Sequence, residues 1–223
     1  MIVGEQKSIK EIMESVAPYK RILILGCGTC VKTCFAGGED EVEVLASALR
    51  LAFKAKNQRP VEIEEFTIER QCENEFIQEA AEHIGRNDAV LSLACGAGVQ
   101  AMAERYPESP VLPGVNTTFI GVQDHPGLFT EKCSGCGDCE LARFGGICPV
   151  TRCSKKLLNG PCGGSQNGKC EVDPNLDCAW HLIIERLTTL GQLDNLRAYV
   201  PPKNWQTSNS GGPRKLVRKD HII

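Results

Sequence analysis

Three cysteines spaced two residues apart, Cys133, Cys136 and Cys139 in CSGCGDC, bring three thiolates to one tightly curled loop. Gly135 and Gly137 permit the turns, and backbone amides in loops of this kind also hydrogen-bond sulfur. Zinc ribbons offer their ligands as two separated pairs, so the triple run favours a 4Fe-4S cluster over zinc at this site. The fourth ligand stays open. The Cys148-Pro149 step comes nine residues after Cys139, where a ferredoxin-type run places it much sooner, and a later cysteine such as Cys178 is the alternative. Once that site is filled, four of Cys148, Cys153, Cys162, Cys170 and Cys178 remain. Four is enough for a second centre, either another 4Fe-4S cluster or a structural tetrathiolate zinc. Cys178 stands where a final helix begins, and the positive end of the helix dipole favours a thiolate there.

The other five of the thirteen cysteines lie in the first half of the chain. Cys27, Cys30 and Cys34 follow an apolar run in GCGTCVKTC, Cys72 follows a second in FTIERQC, and Cys95 closes a third in LSLACG. If those runs are parallel strands, their carboxyl ends share one edge, where open α/β folds bind ligands. A further cluster held by four of Cys27, Cys30, Cys34, Cys72 and Cys95 is expected at that rim. The adjoining glycines, Gly26, Gly28, Gly96 and Gly98, would let backbone approach the bound group. GAGVQA formally fits a dinucleotide fingerprint, yet no acidic residue follows at the distance a ribose partner needs, so nicotinamide binding is not expected. The histidines His83, His125, His181 and His221 form no metal pair and no nucleophile-base pattern, and no carboxylate pair stands out, so no catalytic residue is assigned. His83 and His181 read as surface or packing residues.

Composition limits what the thiols can be for. A chain of 223 residues has room for one domain or two modest ones. A formal net charge of -3 leaves no electrostatic footprint for a nucleic-acid backbone beyond a short basic stretch near PRKLVRK. The polar N-terminus, MIVGEQKSIKEIMESV, lacks the apolar core of a secretory signal, and no long apolar run crosses a membrane, so a cytoplasmic protein without nucleic-acid or membrane partners is expected. Cytosolic thiols are kept reduced, which argues against a disulfide framework and for metal.

Strands and helices must alternate to position these groups. RILILG is a short buried run stopped by glycine, and EVEVLASALRLAFKAK places Val42, Leu45, Leu49, Ala52 and Phe53 on one helical face. VEIEEFTI reads as a strand, NEFIQEAAEHI as a helix, DAVLSLAC as a buried strand, GVQAMAERY as a helix, and PVLPGVNTTFI as a strand or extended exit. The pattern predicts an α/β fold with a small Rossmann-like parallel sheet over residues 1–122. Apolar periodicity then gives way to Gly, Pro and Cys, and a cysteine-rich cluster-binding domain with a closing helix is expected over 123–200. Its ordering energy would come largely from metal bonds, because no stretch from Cys133 to Cys170 can bury a continuous apolar face. DCAWHLIIERLTTLGQL resumes helical spacing, with Asp177 a candidate N-cap and Gly191 placed to end it. Residues 201–223 read as a polar arm or tail.

The stretches GCGTCVKTCFAGGEDEV, ERQCENE, LSLACGAGVQ, NTTFIG and the cysteine-rich run from Cys133 to Trp180 resemble the small cysteine-rich subunit of bacterial, acetogen-type methylenetetrahydrofolate reductases. The likeness covers about residues 20–190, and its second half resembles the C-terminal region of such reductases, sometimes described as zinc-containing. In that family the folate and flavin sit on a separate TIM-barrel catalytic subunit. The resemblance implies an iron-sulfur subunit with two or three 4Fe-4S clusters and possibly one structural zinc, bound to that flavin-containing partner. It would pass electrons from ferredoxin or another redox subunit to the partner's flavin for reduction of methylene- to methyltetrahydrofolate. A zinc-stabilised adaptor without electron transfer, or a zinc-thiolate methyl-transfer protein, are the alternatives.

Overall fold

The first strand and helix come from the stretch the alternating reading passed over. Ile2–Gln6 is β1 and Ile9–Val16 is α1, whose N-cap Ser8 accepts a hydrogen bond from the Glu11 amide while Ile12, Met13 and Val16 are buried. The computed structural model describes residues 1–56 and 59–221, which divide into two compact units, Met1–Thr130 and Glu131–Ile223.

In the first unit, β2 (Arg21–Cys27) leads through the single-turn helix α2 (Cys30–Thr33) to the long helix α3 (Glu39–Ala55). Then come β3 (Glu62–Ile68), the short helices α4 (Asn74–Glu79) and α5 (Ala81–Arg86), β4 (Ala89–Ser92), α6 (Gly96–Arg105) and β5 (Val111–Pro113). The helix expected over NEFIQEAAEHI is thus two helices meeting at the buried Ala80. The four strands form a parallel sheet in the order β3-β2-β4-β5. An α/β fold with a parallel sheet is therefore present, as the alternation of apolar runs and helical faces predicts.

The period-two geometry of β2 explains its uninterrupted apolar run. Ile22 and Ile24 face a core built with α1 and α3, including Ile12, Val42, Leu45 and Leu49. Leu23 and Leu25 face a second core with Ile77, Ile84 and Met102 from α4, α5 and α6. Both faces are covered, so every position must be apolar.

PVLPGVNTTFI divides at Gly114: β5 stays in the parallel sheet, whereas β6 (Val115–His125) leaves it. There β6 pairs antiparallel with β1, Ile2 opposite Ile120, and β7 (Leu128–Cys133) completes a separate three-stranded sheet ordered β1-β6-β7.

The second unit contains little regular structure: α7 (Pro149–Arg152), α8 (Ala179–Thr189) and short 3-10 turns. Its apolar core is small but genuine. Phe144, Trp180, Ile183, Leu187 and Val200 are buried together, with the Phe144 and Trp180 rings edge to face at 5.7 Å and the Trp180 indole N–H donating to Leu157 O. Among the described residues no helix is long and apolar enough to cross a membrane.

Candidate metal centre

All thirteen cysteines are free thiols. β7 ends at Cys133, and the chain then curls through two glycines with positive φ, Gly135 (62°) and Gly137 (82°). The Gly135 amide donates to Cys133 Sγ at 3.3 Å, the amide-to-sulfur geometry expected of this loop, and Cys136 Sγ stands 3.5 Å from Asp138 O. Cys148 sits just ahead of α7, where Pro149 takes the first helical position. Cys133, Cys136, Cys139 and Cys148 all line one cavity of about 170 Å³.

Cys153, Cys162, Cys170 and Cys178 line a second cavity of about 20 Å³. Cys153 ends α7 and Cys178 begins α8, so the two helices deliver two of the four. Cys170 arrives on a tight hairpin in which Gln166 bridges Lys169 and Lys169 in turn bridges Asp177. The Cys178 amide donates to Gly168 O at 2.7 Å and the Cys170 amide to Leu176 O at 2.9 Å, fastening this hairpin to the start of α8. The Ser154 hydroxyl lies 3.4 Å from Cys170 Sγ, and with the Val172 and Asp173 amides it holds the Cys170 thiol below its ordinary pKa, favouring thiolate. The N-cap of α8 is Cys178 itself and makes no side-chain cap bond. Asp177, the residue the sequence suggests, instead pairs with Lys169 at 2.6 Å.

The remaining five cysteines divide. β3 lies on one side of β2 and β4 on the other, so the strand order reverses between β2 and β4, the place where open α/β sheets carry ligands. Cys27 ends β2, Cys95 is the N-cap of α6 just past β4, and Cys72 follows β3. The Cys72 residue is exposed, yet its thiol is partly desolvated; that raises its pKa, and the nearby Cys95 and Cys27 thiols raise it further. Cys30 opens α2 at intermediate exposure. Cys34 turns the other way. Its Sγ accepts from the Gly4 amide at 3.3 Å, lies 3.5 Å from Gly4 O, and is buried in the core on the β1 side, where desolvation pushes its pKa up.

Gln71 holds this rim together. Fully buried, it donates to Leu25 O (2.8 Å) and Gly26 O (3.0 Å) at the end of β2 and accepts from the Ser92 hydroxyl (2.6 Å) at the end of β4. Sequence reading missed it, although a glutamine immediately before a rim cysteine was the available signal. The glycines have other employment. The Gly28 amide donates to Ile68 O and the Gly96 amide to the Thr117 hydroxyl. A Cβ on Gly26 would stand 2.3 Å from Thr67 Oγ1, and one on Gly98 would stand 2.7 Å from Ala94 Cβ, so both serve close packing. Among the histidines, His83 stacks on Phe66 at 4.0 Å and pairs with Glu64, His181 pairs with Glu185, and the His221 side chain lies outside the described residues.

Among the described residues, no three His, Cys, Asp or Glu side chains converge on a single ion position. The donor chemistry of the two cavities nevertheless fits thiophilic metal: each is walled by four uncrosslinked cysteines. They differ in size, about 170 Å³ for the first and about 20 Å³ for the second.

Residues 112–206 match the family described as Methylene-tetrahydrofolate reductase C terminal. That segment is similar to the family over 95 of the 223 residues. The matched segment contains both four-cysteine cavities and ends within the 3-10 turn at Trp205–Thr207. No curated protein and no solved structure matches the chain.

Proposed function

We propose that this chain is an electron-transfer subunit of a methylenetetrahydrofolate reductase complex, serving a flavin-containing TIM-barrel catalytic subunit and drawing on ferredoxin or another redox subunit. The observation that carries the reading is the sorting of eight cysteines in the reductase-related region into two separate four-thiol cavities. Cys133, Cys136, Cys139 and Cys148 would hold a 4Fe-4S cluster, and Cys153, Cys162, Cys170 and Cys178 a structural zinc, a reading supported by the smaller second cavity. Cys27, Cys30, Cys72 and Cys95 would hold a further cluster at the sheet edge, with Cys34 a core thiol outside the ligand set. Bound clusters supply one-electron steps that a partner's flavin gathers into the pair needed to reduce methylene- to methyltetrahydrofolate.

The chain's own residues support these roles. The Gly135 amide aims at Cys133 sulfur, and Gln71 fixes the Cys72 loop against the ends of β2 and β4. The Ser154 hydroxyl beside Cys170 Sγ helps hold that thiol's pKa below its ordinary value. Trp180 and Phe144 form the floor from which α8 presents Cys178.

Metal and sulfide content after strictly anaerobic purification tests the proposal. A brown protein with iron and acid-labile sulfide exceeding zinc, about one zinc per chain, and an EPR signal on reduction is expected. A colourless chain saturated with zinc alone overturns electron transfer and leaves the zinc-stabilised adaptor, whose support is the smaller second cavity.

A further inference from the structure

The arm beyond Pro202 is folded against the CSGCGDC loop. The Thr207 hydroxyl donates to Cys136 O at 2.9 Å, Arg214 donates to Gly135 O and to Thr207 O, both at 2.9 Å, and the Lys203 ammonium donates to Asp138 O at 2.8 Å. Three carbonyls of the ligand loop, those of Gly135, Cys136 and Asp138, are thus engaged by one short segment. The arm has structure of its own: two 3-10 turns, Trp205–Thr207 and Asn209–Gly211, capped by the Asn204 and Ser208 side chains. Lys156 lies 5.5 Å over the Trp205 ring and pins its beginning.

Loop and arm are fitted closely. A Cβ on Gly137 would stand 2.1 Å from Thr207 O, so the two backbones meet with no room for a side chain. The Lys203 side chain is only 4 % exposed, with the Asp138 carboxylate 3.6 Å away. The Asp138 carbonyl and carboxylate together hold this buried ammonium against the loop.

On the reading that the Cys133–Cys148 cavity holds a cluster, we propose that residues 203–214 form a clasp on the ligand loop, positioning Cys136 and placing Lys203 and Arg214 as cations that raise the bound group's reduction potential. Drawing carbonyls outward toward the arm leaves the loop's amides to face sulfur, as the Gly135 amide already does. Two cations near an anionic centre favour its reduced, more negative state. Lys203, Thr207 and Arg214 are positioning residues; none is a ligand.

The test uses the full chain, reconstituted anaerobically with iron and sulfide, as wild type and as Lys203→Gln/Arg214→Gln, Thr207→Val and Arg214→Lys. Release of iron to a ferrous chelator and the midpoint potential from an EPR-monitored titration are the readouts. The double variant is expected to release iron at least ~10-fold faster and to lower the reduced-to-oxidised ratio at fixed potential by up to ~10-fold, about 59 mV for a one-electron couple. Thr207→Val speeds release with the potential little changed. Arg214→Lys keeps the wild-type potential but speeds release, because it keeps the charge while a differently shaped head leaves the carbonyls of Gly135 and Thr207 without their shared donor. Wild-type release and potential in the double variant, at full iron content, overturn the clasp. A wild-type chain that takes up no iron defeats the cluster reading and the claim on potential. Alkylation of Cys136 then decides the positioning role, which stands if the double variant and Thr207→Val react faster than wild type and falls if they do not.

Discussion

Replacing Gln71 with alanine removes the one side chain that ties three segments of the sheet edge together. The amide is completely buried and makes three hydrogen bonds, two to β2 carbonyls and one from the Ser92 hydroxyl. At a net of about 1 kcal/mol for each bond, the loss is about 3 kcal/mol, before the penalty of leaving the Ser92 hydroxyl without its acceptor. Leu25 O keeps a donor in the Leu93 amide at 2.9 Å, which holds the estimate near this value. With a urea slope of about 2 kcal/mol per M, the midpoint falls by about 1.5 M. Far-UV circular dichroism follows the transition. Trp180 and Trp205 both belong to the second unit, so their emission is a built-in reference for effects beyond the α/β unit. Ser92→Ala alone costs about 2 kcal/mol, since its hydroxyl also accepts from the Ala94 amide, and the double variant costs less than the sum because the two residues share a bond. A loss below about 0.5 kcal/mol for Gln71→Ala, or strict additivity, refutes the role given to this network.

Three further outcomes are expected. The Asp88 carboxylate accepts from the Arg21 and Lys20 amides and is held below its ordinary pKa by them, so its contribution is present above the unfolded value near 4 and is lost as pH falls through the lower folded value. Asp88→Ala is therefore less stable than wild type at neutral pH, and thermal melts from pH 7 to pH 2 should converge at the acid end. Phe144→Ala opens a hole beneath Trp180 at a cost of about 3–5 kcal/mol, enough to broaden or abolish the tryptophan-detected unfolding transition of the second unit's small core. Gly37→Ala drives a Cβ to within 2.0 Å of Leu93 O, beside the Gly37 carbonyl that accepts the Cys27 amide; calorimetry should show a loss of at least about 1–3 kcal/mol.

Local pattern determined much of the α/β unit. A buried parallel strand must be apolar at every position because both faces are covered, so RILILG and AVLS declare themselves, and α3 shows its buried face through Val42, Leu45, Leu49 and Phe53. Placing Cys27, Cys72 and Cys95 near one edge needs only that the strands run parallel, and the strand-helix alternation implies it. Tertiary structure alone decided the rest. Cys34 follows Cys30 by one helical turn, yet it leaves the rim because β1, thirty residues earlier, offers it the Gly4 backbone. The division of eight cysteines into two sets of four depends on how irregular chain between Cys139 and Cys178 wraps a core of Phe144, Trp180 and Val200, and no period in the sequence records that path. The fit of the arm to the CSGCGDC loop joins residues up to 79 apart. Hydrogen-bonded periodicity is local and can be read along a chain, whereas loop closure over such separations is settled by packing that forms only when the whole unit folds.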